Sequence, residues 1–290
     1  PAPTGPTEGP DSLIGTDSSD TINGLGGDDT IDGLAGDDRL DGGGGNDLLF
    51  AGEDTETGDY SREILQVLDD DRLFSGDGDD TIVGDVRNLS AFGGAGNDLI
   101  IGGEDGVQRL SGGAGDDTLV GGDAISDGGL YSPTGLSFLN GGSGADVLVD
   151  GVGFSLVGGL GTDTFVADGY TRISDFSPSQ DGLLLPYVGD AAPDSFEVSV
   201  LNQTKFYRLT HLGYDLRVTV TATDGSNQSW TVLLVDDGVQ LGPNPMNDFP
   251  GTQQQIDAWT SRVAFVSAAQ IDSLTAGIGQ TAPSAVSPGV

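Results

Sequence analysis

The sequence predicts an all-β chain, a parallel β-roll followed by a β-rich C-terminal cap and a short helix. Three observations predict it. A nine-residue repeat opens at Gly15, a large apolar residue stands at the eighth place of each copy, and alternating polar and apolar runs follow once the repeats end. The organisation that results is a flexible segment or linker over 1–10, the roll over 11–166 with insertions at about 51–68 and 121–138, a capping region over 167–240, and a helix and tail over 241–290.

Composition supports a fold that needs help from cations. The 290 residues hold 50 Gly and 46 Asp plus Glu against 10 Lys plus Arg, for a formal net charge of -36. Such self-repulsion needs counter-charge, and with hydrophobic residues at 36% the apolar core is a weak source of stability by itself. The same charge argues against nucleic acid and anionic membrane surfaces as partners, since either adds repulsion. Without Cys there are no disulfides, thiolate metal sites or cysteine nucleophile. No apolar run approaches the roughly 20 residues of a membrane span. Pro1 to Pro10 has neither the charged nor the apolar part of a signal peptide, and with no initiator Met the chain is expected to be processed or excerpted.

The first four full copies begin at Gly15, Gly24, Gly33 and Gly42, after a partial copy with Asp11 and Leu13. Their sixth residues are Asp20, Asp29, Asp38 and Asp47; their eighth are Ile22, Ile31, Leu40 and Leu49. Later copies at Ser75, Gly93, Gly112, Gly141 and Gly158 supply Asp80, Asp98, Asp117, Asp146 and Asp163, and Asp71 stands nine residues before Asp80. Glycines let the first six residues close a tight turn with positive φ and inward carbonyls, while the last three form a short strand. An x-U-x strand, with U a large apolar residue, points U to one face and its neighbours to the other, so stacking buries one apolar column. Eighteen residues then complete a coil with two turns on opposite edges, which places Asp20 over Asp38 and Asp29 over Asp47. Hard oxygen ligands at regular spacing select calcium over transition metals.

These copies resemble the G-G-x-G-x-D-x-U-x pattern of the repeats-in-toxin (RTX) family. The resemblance implies several calcium ions lying between stacked turns, held by turn backbone carbonyls and by Asp11, Asp20, Asp29, Asp38, Asp47, Asp71, Asp80, Asp98, Asp117, Asp146 and Asp163. It also implies an extracellular protein that crosses the type I secretion machinery unfolded.

Beyond residue 75 the Asp turns fall about eighteen apart, except for the longer gap before Asp146, so every second turn has lost its motif. The apolar column nevertheless continues through Leu73, Ala91, Leu110, Leu139 and Leu156. One edge therefore keeps its metal turns while the other carries the insertions. The inserted edge is the candidate partner surface, with neutral loop drift as the competing reading. The stretch 51–68 reads as a short helix or excursion anchored by Tyr60, Ile64, Leu65 and Leu68.

After Val166, Ile173, Asp175, Phe176, Asp181, Leu183 and Leu185 are similar to the I-x-D-F-x(4)-D-x-I-x-L segment that follows the repeats in serralysin-type proteases. Strands are then expected from Phe196, Lys205, Tyr214 and Ser229, with Asp224-Gly225 in a hairpin connection, as a cap over the open end of the roll. A helix is expected from Gly251, with Thr252 as N-cap and Ile256, Trp259, Val263 and Val266 on one face. In the resembled family such a C-terminal region carries the secretion signal.

Enzyme motifs fail. The one His, His211, excludes H-E-x-x-H and with it the zinc protease chemistry of the serralysins, and G-x-S-x-G ends wrongly at Ala145. His211, Trp230 and Trp259 read as ordinary strand or packing residues. The expected function is a nonenzymatic, secreted calcium-binding protein with a structural, surface-layer, matrix or adhesive role, through self-association or a cell-surface or matrix partner. The alternative is the C-terminal export and folding module of a larger secreted enzyme or toxin, which the Pro-rich start would suit as a linker.

Overall fold

A computed structural model of the chain describes residues 5–52, 70–84, 88–103, 107–122, 137–150, 154–167, 170–177, 180–187, 196–205, 213–222, 229–235, 263–267 and residue 270. The x-U-x runs become strands because Thr, Ile, Leu and Val in sequence suit a pleated, half-buried surface, and the glycine turns end each one. The first coils are built from β1 (Ser12–Thr16), β2 (Thr21–Asn23), β3 (Thr30–Leu34), β4 (Arg39–Gly44) and β5 (Leu48–Phe50). Next come β6 (Asp70–Asp77), β7 (Thr81–Val83), β8 (Asn88–Ala95), β9 (Leu99–Ile101), β10 (Gln108–Ala114) and β11 (Thr118–Val120). The roll continues through β12 (Phe138–Gly144), β13 (Val147–Val149), β14 (Ser155–Gly161), β15 (Thr164–Val166), β16 (Tyr170–Ile173) and β17 (Gly182–Tyr187).

Odd strands from β1 to β17 pair in parallel into one sheet, and even strands from β2 to β16 into another. One strand of each sheet and two turns make a coil, as an eighteen-residue period requires. Registers such as Leu13↔Ile31↔Leu49 and Ile22↔Leu40↔Leu73 stack the eighth-position residues directly. The core between the sheets is therefore two apolar columns. Ile31, Leu40, Leu49, Ile82, Ile100, Leu119, Leu148 and Phe165 are completely buried, and so are Leu73, Ala91, Leu139 and Leu156 from coils with a missing motif.

Parallel pairing does not stop at Val166. β16 lies on β14, β17 lies on β15, and Leu183 and Leu185 are buried against the same core. An antiparallel meander follows, of β18 (Phe196–Lys205), β19 (Gly213–Ala222) and β20 (Ser229–Val235). β20 joins β16 in parallel, and β21 (Val263–Ser267) joins β17, so the strands after the roll grow from its own two sheets and cover their C-terminal edges. The expected helix is corrected here, because Val263 and Val266 belong to β21. The run Val-Ala-Phe-Val-Ser is β-branched and aromatic, and the open edge of β17 gives it a pairing partner that outweighs a weak helical spacing. Among the described residues only Gln270 has helical backbone, and no helix is long and apolar enough to cross a membrane. Tyr60, Ile64, Leu65, Leu68, His211, Asp224, Gly225, Thr252, Ile256 and Trp259 lie outside the described residues.

Candidate metal centre

Each turn from Gly24–Asp29 to Gly158–Asp163 that leads from an even to an odd strand spans the six residues of the motif, and its shape depends on glycine at defined places. In the turn from Gly112 to Asp117, the second and fourth residues, Gly113 and Gly115, have φ of 118° and 133°, a region that side chains rarely adopt. A β-carbon on Gly113 would also press into the Gly94 carbonyl of the preceding coil. The first position is closed for another reason. A β-carbon on Gly24 would meet Asp29 Oδ2 and the Gly42 carbonyl oxygen, both closer than 3.0 Å, so a carboxylate oxygen of one turn and a carbonyl of the next converge there. The same convergence recurs beside Gly33, Gly42 and Gly93. Leu25 and Leu34 hold second positions at φ of 80° and 74°, and there the geometry is kept at the cost of backbone strain.

The sixth-position carboxylates form a hydrogen-bonded ladder along this edge. The backbone N–H of Asp29 donates to Asp47 Oδ1 at 2.8 Å, that of Asp47 to Asp80 at 2.6 Å, and that of Asp80 to Asp98 at 3.0 Å. Asp98, Asp117 and Asp146 donate onward to Asp117, Asp146 and Asp163 at 2.9, 2.9 and 3.1 Å. Asp11 enters the ladder by donating to Asp29, and Asp163 leaves it by donating to Asp181. On the opposite edge a shorter ladder runs from Asp20 to Asp38 to Asp71.

One carboxylate oxygen per rung is thus spent on the backbone and the second is left. Oδ2 of Asp29, Asp47, Asp80, Asp98, Asp117 and Asp146, all on the longer ladder, is buried without a hydrogen-bond partner. Buried polar atoms are normally paired, so six repeated exceptions of one kind point to a ligand. Where the ladders end, the chain satisfies the atom itself. Asp11 Oδ2 accepts from the N–H and hydroxyl of Thr7, Asp20 Oδ2 from those of Thr16, and Asp181 Oδ2 from Ser177 N–H.

Electrostatics agree with the hydrogen-bond count. Burial pushes Asp47, Asp98 and Asp146 up to about 6 and Asp117 up to about 7. The backbone N–H received from the preceding coil opposes this rise, and neighbouring carboxylates add to it. Burial raises Asp29, Asp80 and Asp163 in the same direction. Such groups need either a proton or a cation.

The donor set fits calcium. Among the described residues no three His, Cys, Asp or Glu side chains converge, because each turn presents one carboxylate, so an ion must complete its shell with carbonyl oxygens. Six to eight oxygen ligands with carbonyls among them is calcium coordination; zinc takes fewer ligands, with nitrogen and sulfur among them.

The other edge shows what replaces a metal turn. Following Asp20, Asp38 and Asp71, the register brings Leu89, Gln108, Ser137, Phe154 and Thr171 to the same position. Leu89 and Phe154 fill the space with carbon, each about 1% exposed. Gln108 uses its amide, with Nε2 donating to the Gly103 carbonyl and Oε1 accepting from Gly122 N–H. Further along, Asp150 accepts from Phe154 N–H and from the Thr171 hydroxyl. Every break in the eighteen-residue spacing, at Asp47 to Asp80, Asp98 to Asp117, Asp117 to Asp146 and Asp146 to Asp163, arises on this edge.

All eleven candidate carboxylates lie on one of the two ladders. The sequence reading missed two partners. Asp181 is the last rung, and its signal was available because it stands eighteen residues after Asp163. Asp175 accepts from the N–H groups of Gly158 and Gly159, which open the turn that ends at Asp163. Gln108 carried no signal, since nothing in its neighbourhood marks it as a substitute for Asp.

A protein-family model described as the RTX calcium-binding nonapeptide repeat (4 copies) matches residues 7–39, 24–55, 68–86, 90–105 and 103–124. No curated protein matches the chain.

Proposed function

The chain carries RTX calcium-binding nonapeptide repeats, and from that premise we propose that calcium drives its folding outside the cell, where it serves as a nonenzymatic structural or adhesive protein. The observation that carries this reading is the row of six buried Oδ2 atoms without partners along the longer ladder. Asp29, Asp47, Asp80, Asp98, Asp117 and Asp146 would hold ions along one edge and Asp38 along the other, each with carbonyls of adjacent turns. Bound calcium supplies positive charge where the fold has gathered carboxylates.

Extracellular calcium modules bind with dissociation constants of about 10⁻⁴ to 10⁻³ M. At about 5 mM calcium, a site near 10⁻⁴ M adds roughly 2.3 kcal/mol by mass action. Several such sites rival the stability of a whole domain, about 5–15 kcal/mol, and cytosolic calcium removes the contribution. A chain of net charge -36 would then stay open during export and fold on arrival.

A calcium titration followed by circular dichroism tests this. The expected result is a cooperative gain of β signal near millimolar calcium, reversed by chelator, with about six ions bound along the longer ladder on the count of its orphaned oxygens. A β signal that persists in excess chelator would falsify the reading.

A further inference from the structure

The outer face of the even-strand sheet carries a feature that the metal ladders do not use. The seventh-position residues of β4, β6, β10 and β16 are Arg39, Arg72, Arg109 and Arg172, joined in register through Ser90, Phe138 and Ser155. Their neighbours Leu40, Leu73, Leu110 and Ile173 are buried, so the arginines face outward, and all four are exposed. They include every cation of the roll whose side chain is described. Beside them Phe74 and Phe92 stack with centroids 5.0 Å apart, and the Arg39 guanidinium lies 4.3 Å over the Phe74 ring. Arg39 also pairs with Asp41 at 3.7 Å, whereas Arg72 and Arg109 form no ion pair with any described residue. Phe92 is 41% exposed.

The acidic counterpart is on the same molecule. At the fifth position of the ladder turns stand Asp28, Asn46, Asp79, Asn97 and Asp116, all exposed. Each side chain accepts the N–H of the next, from Asn46 on Asp28 to Ala145 on Asp116. Asp alternates with Asn, so the carboxylates recur every second coil. Arg72 and Arg109 are likewise two strands apart in their sheet. Strands lie about 4.8 Å apart, so both spacings are roughly 10 Å and are set by the same coil rise. Two rolls lying side by side with aligned axes therefore match Arg72 and Arg109 to Asp79 and Asp116 together.

We propose that the arginine column of one copy docks on the acidic turn tips of a second copy. The proposal rests on the calcium reading above, because both surfaces exist only on the folded roll. The two surfaces differ, so the contact is head-to-tail and extends beyond a dimer.

The test is sedimentation velocity of the calcium-loaded chain over a concentration series. The wild-type chain is expected to grow into larger species at low ionic strength and to dissociate near 1 M salt, where the Debye length is about 3 Å. Arg72→Glu with Arg109→Glu should give a monomer, as should Asp79→Lys with Asp116→Lys, and mixing the two variants should restore association. Circular dichroism in calcium separates folding from docking; a variant that does not fold is replaced by Arg72→Gln with Arg109→Gln. A wild-type chain that folds yet stays monomeric overturns the proposal, and so do arginine variants that associate like wild type. Loss of retention on dextran sulfate by the arginine variants, with no change in mass, would overturn it in favour of a polyanionic partner.

Discussion

At the scale of single residues the roll is governed by where a side chain is allowed. Leu25 sits at φ of 80° and is 45% exposed, so it has little packing to lose. Leu25→Gly should stabilise the calcium-loaded fold by about 1 kcal/mol, the left-handed penalty less the entropy glycine adds to the unfolded chain, as read by denaturant unfolding at fixed calcium. Gly113→Ala should do the opposite, because it meets both a φ of 118° and a carbonyl. Protons act on the same scale. The folded, metal-free chain holds Asp47, Asp98 and Asp146 at about 6 and Asp117 at about 7, above the ordinary value of 3.8. A raised value stabilises the metal-free fold fully below about pH 4, and that help is lost as pH rises through 6 to 7. Metal-free chain should thus show more β signal at pH 5.5 than at pH 8. The calcium midpoint should move to higher concentration at pH 5.5, since the ion displaces protons. Equal β signal at both pH values without metal would contradict the assignment of burial as the cause.

Between residues and the whole lie the turns, and the two edges solve one problem differently. A ladder turn leaves its second carboxylate oxygen to a cation or a proton, whereas Gln108 closes its turn with an amide. Asp117→Asn should lower the calcium stoichiometry and raise the folding midpoint. Gln108→Ala should leave stoichiometry unchanged and cost about 2 kcal/mol at saturating calcium, by stranding the Gly103 carbonyl and Gly122 N–H. Isothermal titration paired with denaturant unfolding distinguishes them. These elements also show what a sequence reveals. The ladder turns and both apolar columns were legible, because a period of nine repeats the same physical demand and Leu139 or Leu156 keeps its place even where the motif has gone. The strand at Val263 was not, since only the free edge of β17 decides between strand and helix there. Gln108 was hidden because an amide replaces a carboxylate and its ion by reaching across the coil, a relation no local spacing records.

Over the whole molecule, the two sheets share one axis and one rise, so every feature repeated along the chain becomes a line on the surface. The buried carboxylates form two lines on opposite edges, the turn tips a third and the arginines a fourth. The -36 charge is therefore arranged rather than spread, with its most costly part inside the ladder, where calcium can meet it. The sequence repeats in nines, but the structure repeats in eighteens, and that mismatch limits how such a gene can lengthen. Duplicating one nonapeptide would exchange the two sheets for everything downstream. Arginines would cross to the other face and long insertions would land among the metal turns. Duplicating two would add a coil and disturb nothing. Replication slippage that survives selection in this protein should thus come in pairs of repeats.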